Sequence, residues 1–478
     1  MSPVFHNREL ERLHAADGYT RAQVDAIAAA LEAHGTLRLT PLSTGLYPAT
    51  SASAPGAAAY RHVWVRDNVY VALALWRDGE PDAAVAAARG LLAFYGAHRR
   101  RFDAAEVAAG FDARDVMARP HVRFDGVTLA EIDAERWPHA QNDALGYCLW
   151  LAASLASARL FTPTPDEIDT LRALVRYLES IRFWDDEDSG HWEETRKVSA
   201  SSIGAVVAGL QAWRALLQAG HAPRLSTVVA RELEMSATAL IDRGGRALLA
   251  ILPAECVQVD PRRHRRYDAA LLFLVHPLGV VEGALADLIV DDVVRYLQGP
   301  VGIRRYLRDS YWAPDYERRV AERDRTRDYS EDIESRDVLL DEIGGEAQWC
   351  VFDPIVSALH GARAIHSGAA ANSFEITPRL PTSVGRPSRS AMRSAIINGA
   401  SRYITGSDVY GSNTDCIGPN PSAAIHVAMP AARVDSPSTR HKRPSAIAAA
   451  ALVNTAYARH FTSEGPGRCS MIGAGRSR

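Results

Sequence analysis

Four short stretches of this 478-residue chain crowd carboxylates, guanidinium groups, amides and tryptophans against the edges of apolar segments. The richest is FWDDEDSGHWEETRKVSASSIG, where Asp185 to Asp188 lead into Trp192, Glu193 and Glu194 before Ser199 to Ser202 open a helix. A carboxyl held against an indole loses solvation when it ionises, so its pKa rises and it stays a proton donor near neutral pH. Glu193 is assigned that general-acid role, whereas Asp185 to Asp188 are expected to form an exposed acidic loop.

The second stretch, YRHVWVRDNVYVALALW, sets Arg66 and Asp67 beside Trp64 where a loop becomes a helix, so that both charged groups can reach hydroxyls. Taken alone, Asp67 reads equally well as a helix N-terminal carboxylate beside a solvated Arg66. The third, WPHAQNDALGYCLWLAASL, offers the flat face of Trp137 together with Gln141, Asn142 and Asp143 just before a buried helix. A hexose has one apolar face and a rim of hydroxyls, and this mixture suits it. Asn142 or Asp143 could equally be only the helix cap. The fourth combines VGIRRYLRDSYWAPDY with GGEAQWCVFDPIVSALHG. There Arg305, Asp309, Tyr311 and Trp312 could extend a pocket wall, Trp349 is expected to start a helix, and Tyr306 and Trp349 read otherwise as core aromatics.

The elements that must carry these groups are helical. Ala- and Leu-rich segments with helical periodicity run from about residue 20 to 365, and alternating β-branched runs are scarce. Helices are expected over 68–77, 84–97, 143–160, 199–218, 226–242, 278–297 and 346–364. A further one starts at Thr164 as N-cap, with Pro165 in the first turn, Glu167 closing a capping box, and Ile168, Leu171, Leu174, Val175 and Leu178 on one face. The glycine pairs Gly244-Gly245 and Gly344-Gly345 lack the spacing and lysine of a phosphate loop.

A hydrophobic fraction of 47% and a charged fraction of 23% are those of an ordinary globular protein, and a net charge of −3 argues against a global nucleic-acid footprint. The first thirty residues carry charges throughout and show no secretory core, and no membrane span is expected, so the cytoplasm is the expected compartment. Five scattered cysteines make neither a metal nor a disulfide framework and read as reduced core residues. From Ser367 onward thirteen Lys/Arg face five Asp/Glu and no tryptophan occurs. Two domains are therefore expected: residues 1–366, and a loosely ordered Arg/Ser/Pro/Ala-rich tail over 367–478 with at most one helix near 445–461. Such basic tails bind acidic partners in some proteins, but they are usually solvated.

In order and spacing, YRHVWVRDNVY, WPHAQND, HWEET with SASSIG, GIRRYLRDSYW and EAQWCVFDP together resemble glycoside hydrolase family 15. The likeness is greatest to the glucoamylase-like branch shared with the α and β regulatory subunits of phosphorylase kinase, and it covers about residues 20 to 365. It implies an all-α (α/α)6 barrel with a pocket at one end that takes the end of an α-glucan or maltooligosaccharide, with no metal or organic cofactor. Carried over by motif, Arg66 and Asp67 would hold the terminal glucose, Trp137 would stack beside the scissile bond, Glu193 would be the general acid and Glu194 would bind the next sugar. Arg305 and Asp309 match further sugar-binding positions, and Gln141, Asp143 and Trp192 complete the expected binding set.

Active members invert the anomeric centre, which needs a second carboxylate about 6.5–9.5 Å away to activate water. In them this base lies late in the chain, upstream of a Trp-containing inner helix. No such helix follows Trp349 here, and Glu375 and Glu464, the tail's two glutamates, sit in unrelated contexts. The barrel is therefore expected to be incomplete at its C-terminal end, and a reading-frame shift near residue 367 is one hypothesis for it. The other two frames of the gene would then encode a Trp-containing amphipathic helix, and their failure to do so excludes the shift.

Overall fold

The computed structural model describes residues 12–13, 20–35, 39–50, 61–107, 111–223, 225–260, 263–300, 302–325, 327–340 and 345–366. The expected tail, its helix near 445–461 and the proposed frame shift lie outside these residues.

The described chain is a succession of helices: α1 (Arg21–Ala33), α2 (Val65–Asp78), α3 (Pro81–Ala97), α4 (Arg100–Val107), α5 (Asn142–Ser157), α6 (Pro165–Ser180), α7 (Ala200–Gln218) and α8 (Thr227–Ile251). Further helices follow: α9 (Leu272–Val275), α10 (Gly283–Asp292), α11 (Tyr316–Arg319), α12 (Ile333–Leu339) and α13 (Asp353–His366). Two strands of two residues each, β1 (Val63–Trp64) and β2 (Arg123–Phe124), pair antiparallel with Val63 opposite Phe124 and Trp64 opposite Arg123.

Helices α5 and α7 form the interior. Residues 142–149 of α5 and 200–210 of α7 are buried on every side, as expected of helices apolar around their whole circumference. They meet backbone to backbone: a Cβ on Gly146 would lie 2.6 Å from the Ala205 carbonyl carbon, and one on Gly209 would lie 2.6 Å from the Gly146 oxygen. By length and composition α7 could also cross a bilayer, contrary to the expectation from sequence, but it is a mostly buried core helix. Helix α8 packs against α7, where Gly244 faces Val207 and Phe183.

Helix α6 is an outer, amphipathic helix built as its sequence predicts. The Thr164 amide donates to Glu167 Oε2 at 2.7 Å, the Glu167 amide donates to Thr164 Oγ1 at 3.2 Å, and Ile168, Leu171, Leu174, Val175 and Leu178 are buried. Some boundaries differ from expectation. The helix expected over 226–242 continues to Ile251, and the one expected from 278 begins at Gly283 and ends in a π turn over Val293–Leu297. Trp349 does not start a helix: its amide donates to Ile303 O at 2.8 Å and its carbonyl accepts from the Ile303 amide at 3.2 Å, in a strand-like bridge. Helix α13 instead starts at Asp353, with Pro354 in its first turn, where a missing N–H costs nothing.

The Ile303–Trp349 bridge closes off an excursion of the chain. Within it Tyr316, Val320 and Leu339 make a small apolar cluster separate from the main core, with Tyr311, Trp312 and Tyr329 packed against it.

Candidate functional site

Two charged clusters meet at the Glu193–Glu194 peptide. In the first, Arg66 stands in the first turn of α2 and Asp143 in the first turn of α5, and Arg66 Nη1 donates to Asp143 Oδ2 at 2.5 Å. Arg66 Nη2 donates to the His191 carbonyl at 3.1 Å and lies 3.6 Å from Glu193 Oε1. Gln141, the N-cap residue of α5, donates from Nε2 to the same Glu193 Oε1 at 3.2 Å. Burial alone would lower the Arg66 pKa, but the carboxylates of Asp143, Glu193 and Asp67 outweigh it and hold the guanidinium charged.

Burial raises the Glu193 carboxyl above its ordinary value, and the Asp143 charge adds to the rise, while Arg66, Gln141 and Arg123 oppose it. Asp67 is pushed up to about 6 by burial and by the Glu193 charge, against the pull of Arg66. Glu193 has φ +59°, in the left-handed region that costs an L residue roughly 1–2 kcal/mol. Its amide donates to the Gly190 carbonyl at 3.3 Å, so a turn with Gly190 at φ +56° carries it.

The second cluster surrounds Glu194, which is 6% exposed. Arg265 Nη2 donates to its Oε2 at 2.8 Å, Tyr306 Oη donates to its Oε1 at 2.5 Å, and Arg305 Nη2 reaches Oε1 at 3.4 Å. Lys197 Nζ is 3.6 Å from Oε2. Burial would raise this carboxyl, but Arg265, Lys197 and Arg305 outweigh it and hold it at about 2. Arg305 and Asp309 form a buried two-pronged pair, with Nε to Oδ2 at 2.6 Å and Nη2 to Oδ1 at 2.7 Å. Trp192 is part-buried, donates from Nε1 to Asp268 Oδ1 at 2.9 Å, and has the Arg305 guanidinium 5.1 Å over its ring.

The structure therefore brings Arg66, Gln141, Asp143 and Glu193 into direct contact and sets Asp67 beside them. Trp192, Glu194, Arg305 and Asp309 are gathered next door in a largely closed network. Trp137, on the loop before α5, meets Trp64 edge-on with centroids 5.9 Å apart. Three contributors went unnoticed in the sequence. Arg265 lies in the run RRHRR, which has no local feature that sets one arginine apart, and it pairs with Cys256 in an isolated bridge. Tyr306 is a ligand of Glu194 as well as a core aromatic. His191, which precedes Trp192, has its Nδ1 3.4 Å from Asp143 Oδ2, and burial pulls its pKa down to about 4.

The acidic run corrects a further expectation. Asp185 and Glu187 are exposed, but Asp188 is fully buried and accepts the Asn142 amide of α5 at 2.8 Å. Asp186 accepts from Arg119 and, at 2.9 Å, from Asn142 Nδ2. Along the run Asp186 and Asp188 turn inward to Asn142 at the N-terminus of α5, and Asp188 is held there by its bridge to Lys197. Neither Asn142 nor Asp143 caps that helix with its own side chain. Among the described residues, no group of three or more His, Cys, Asp or Glu is arranged to hold a metal ion.

Comparison with known proteins fits this architecture. The chain is 28% identical over 304 residues to the probable phosphorylase b kinase regulatory subunit alpha of Drosophila melanogaster, covering 57% of this chain and 22% of that protein. The corresponding protein of Caenorhabditis elegans is 30% identical over 280 residues, covering 52% and 21%. The chain thus spans about a fifth of the length of these relatives. Among solved structures, a glycosidase in complex with glucose superposes with a TM-score of 0.52 at 18% identity, over 84% of this chain and 99% of that one. The wild-type glycosidase gives the same values, a TM-score of 0.52 at 18% identity. At that identity the likeness concerns the fold, which is the all-α, (α/α)6 kind. The family profile of glycosyl hydrolases family 15 matches residues 25–336, about two thirds of the sequence, and the chain belongs to that family.

Proposed function

We propose that this chain binds the non-reducing end of an α-glucan or maltooligosaccharide and hydrolyses its terminal α-glucosidic bond with inversion. The observation that carries the reading is the state of Glu193: a carboxyl raised by burial, with Gln141 and Arg66 both addressing Oε1. That leaves Oε2 to hold the transferable proton. In the proposed reaction this proton passes to the glycosidic oxygen as the bond from C1 to that oxygen breaks, and a water attacks C1 from the opposite face and gives its own proton to a carboxylate base. Arg66 and Asp67 hold hydroxyls of the terminal sugar, Trp137 stacks on the ring beside the bond, and the Glu194 network keeps the second half of the site rigid. Residues 1–366 are the working domain in this reading, in the cytoplasm.

A second reading is a regulatory module that holds a glucan end without turnover. It is favoured by the similarity to phosphorylase b kinase regulatory subunits and by the local charge map. Asp143 and Asp67, two carboxylates whose charges couple to that of Glu193, both stand beside Arg66. Glucose release from maltose and maltodextrin, with Glu193→Gln alongside, separates the two. Release abolished in the variant supports the hydrolase. No release but retained maltooligosaccharide binding supports the module, and neither release nor binding sinks both.

A further inference from the structure

Arg123 sits on β2, opposite Trp64 of β1, and is 4% exposed. Its guanidinium carbon lies 4.1 Å from the ring centroid of Trp137 and 5.2 Å from that of Trp64. Its Nη2 is 2.7 Å from Glu135 Oε2, while its Nε and Nη1 are buried without a hydrogen-bond partner among the described residues. One buried arginine thus holds two residues of the loop before α5, Glu135 by charge and Trp137 by stacking. It ties that loop to the strand that leads straight into Arg66 on α2.

We propose that Arg123 is a positioning residue of the sugar site: its guanidinium, pressed on one face of Trp137, fixes the indole so that only the opposite face meets the substrate ring. This rests on the reading of Trp137 as the sugar-stacking residue. A desolvated cation is drawn to an aromatic face, and this contact restrains a ring that is only part-buried. The same charge reaches Glu193, whose charged neighbours also include Arg66 and Asp67 from α2 and Asp143 from α5. Arg123 therefore acts on the site twice, by geometry through Trp137 and by field on Glu193.

The test uses the whole chain with Arg123→Lys, Arg123→Gln, Trp137→Leu and both double variants. Arg123→Lys keeps the charge and loses the plane, so KM for maltotriose rises about three- to tenfold with kcat little changed, and the basic limb of the pH profile stays in place. Arg123→Gln loses both, so KM rises as much and the basic limb moves to higher pH. In the Trp137→Leu background, where no aromatic face is left, neither substitution at Arg123 changes KM further. Wild-type KM in both Arg123 variants, or equal effects with and without Trp137, overturns the proposal. Where wild type releases no glucose, the maltotriose dissociation constant replaces KM. Where it binds none, the sugar reading fails, and the Trp137-dependent part of the tryptophan emission still decides the contact: it shifts in the Arg123 variants if the contact exists and is unchanged if it does not. Arg123→Lys keeps the stem and the charge and serves where Arg123→Gln does not fold.

Discussion

Glu193 and Glu194 are adjacent in sequence and opposite in electrostatic state. The left-handed backbone at Glu193 sends its carboxyl toward Arg66 and Gln141, where burial raises its pKa, while Glu194 turns into a cage of Arg265, Arg305, Lys197 and Tyr306 that holds its pKa at about 2. Two identical side chains are thereby sorted into one whose protonated form burial favours and one that is held ionised at neutral pH.

The two glutamates are expected to differ in what they do for stability. Glu194→Gln strands the charges of Arg265, Arg305 and Lys197, and a broken buried ion network costs about 3–5 kcal/mol. Glu193→Gln removes a carboxyl that ionises unwillingly in the fold and is expected to change stability by less than about 1 kcal/mol. Urea unfolding of both variants measures this, and equal losses contradict the assignment.

The pH dependence follows with opposite signs. Glu194 has its folded pKa depressed to about 2 from an ordinary 4.5, so its stabilisation is present above 4.5 and is lost as pH falls through about 2. Glu193 has its folded pKa raised, so its stabilisation is present below the ordinary 4.5 and is lost as pH rises through the folded value. Unfolding free energies at stepped pH should show a shallower acid limb between about 4.5 and about 2 for Glu194→Gln, and a shallower decline above 4.5 for Glu193→Gln. An unchanged acid limb in Glu194→Gln counts against the cage.

The contact between α5 and α7 predicts a contrast among glycines. Gly146→Ala and Gly209→Ala drive a methyl into facing backbone at 2.6 Å, which no side-chain rotation relieves, and each is expected to cost about 1–3 kcal/mol or more. Gly245→Ala on α8 meets nothing within 4 Å and should stabilise by about 0.4–1 kcal/mol. Denaturation midpoints decide it, and tolerated substitutions at both Gly146 and Gly209 mean that the helices stand further apart.

Thr164→Ala breaks the capping box of α6 far from the charged clusters. It is expected to cost about 1 kcal/mol in thermal or urea unfolding and to leave sugar binding unaltered. A loss of binding in this variant would show that α6 is coupled to the site.

What the sequence displayed was what local spacing encodes. The capping box at Thr164, the apolar faces of α5 and α7 and the grouping of Arg66, Gln141, Asp143 and Glu193 each depend on neighbours within one or two helical turns, or on motifs kept in order. What it hid depends on distant pairing. Asp188 looked solvated until its bridge to Lys197 turned it beneath α5, Arg265 carries no local signal that sets it apart, and Trp349 looked helical because nothing local announces a bridge to Ile303. Arg123 was silent for the same reason: its partners Trp64 and Trp137 lie on separate segments on either side of it.

The Ile303–Trp349 bridge has a consequence for how this fold can be altered. It fastens both ends of an excursion that carries its own apolar cluster at Tyr316, Val320 and Leu339, so the helices on either side do not register how long the intervening chain is. Each doubling of a closed loop costs only about 0.6 kcal/mol. The excursion also supplies Arg305, Tyr306 and Asp309 to the Glu194 cluster at its start, and it meets the site again through Asp328 Oδ2, which accepts the Thr195 amide at 2.6 Å and the Thr195 hydroxyl at 2.8 Å just beyond Glu194. Insertions and deletions near the tip of this excursion can therefore reshape one rim of the site while the barrel keeps its stability, which makes it the natural graft point for changing what the site admits.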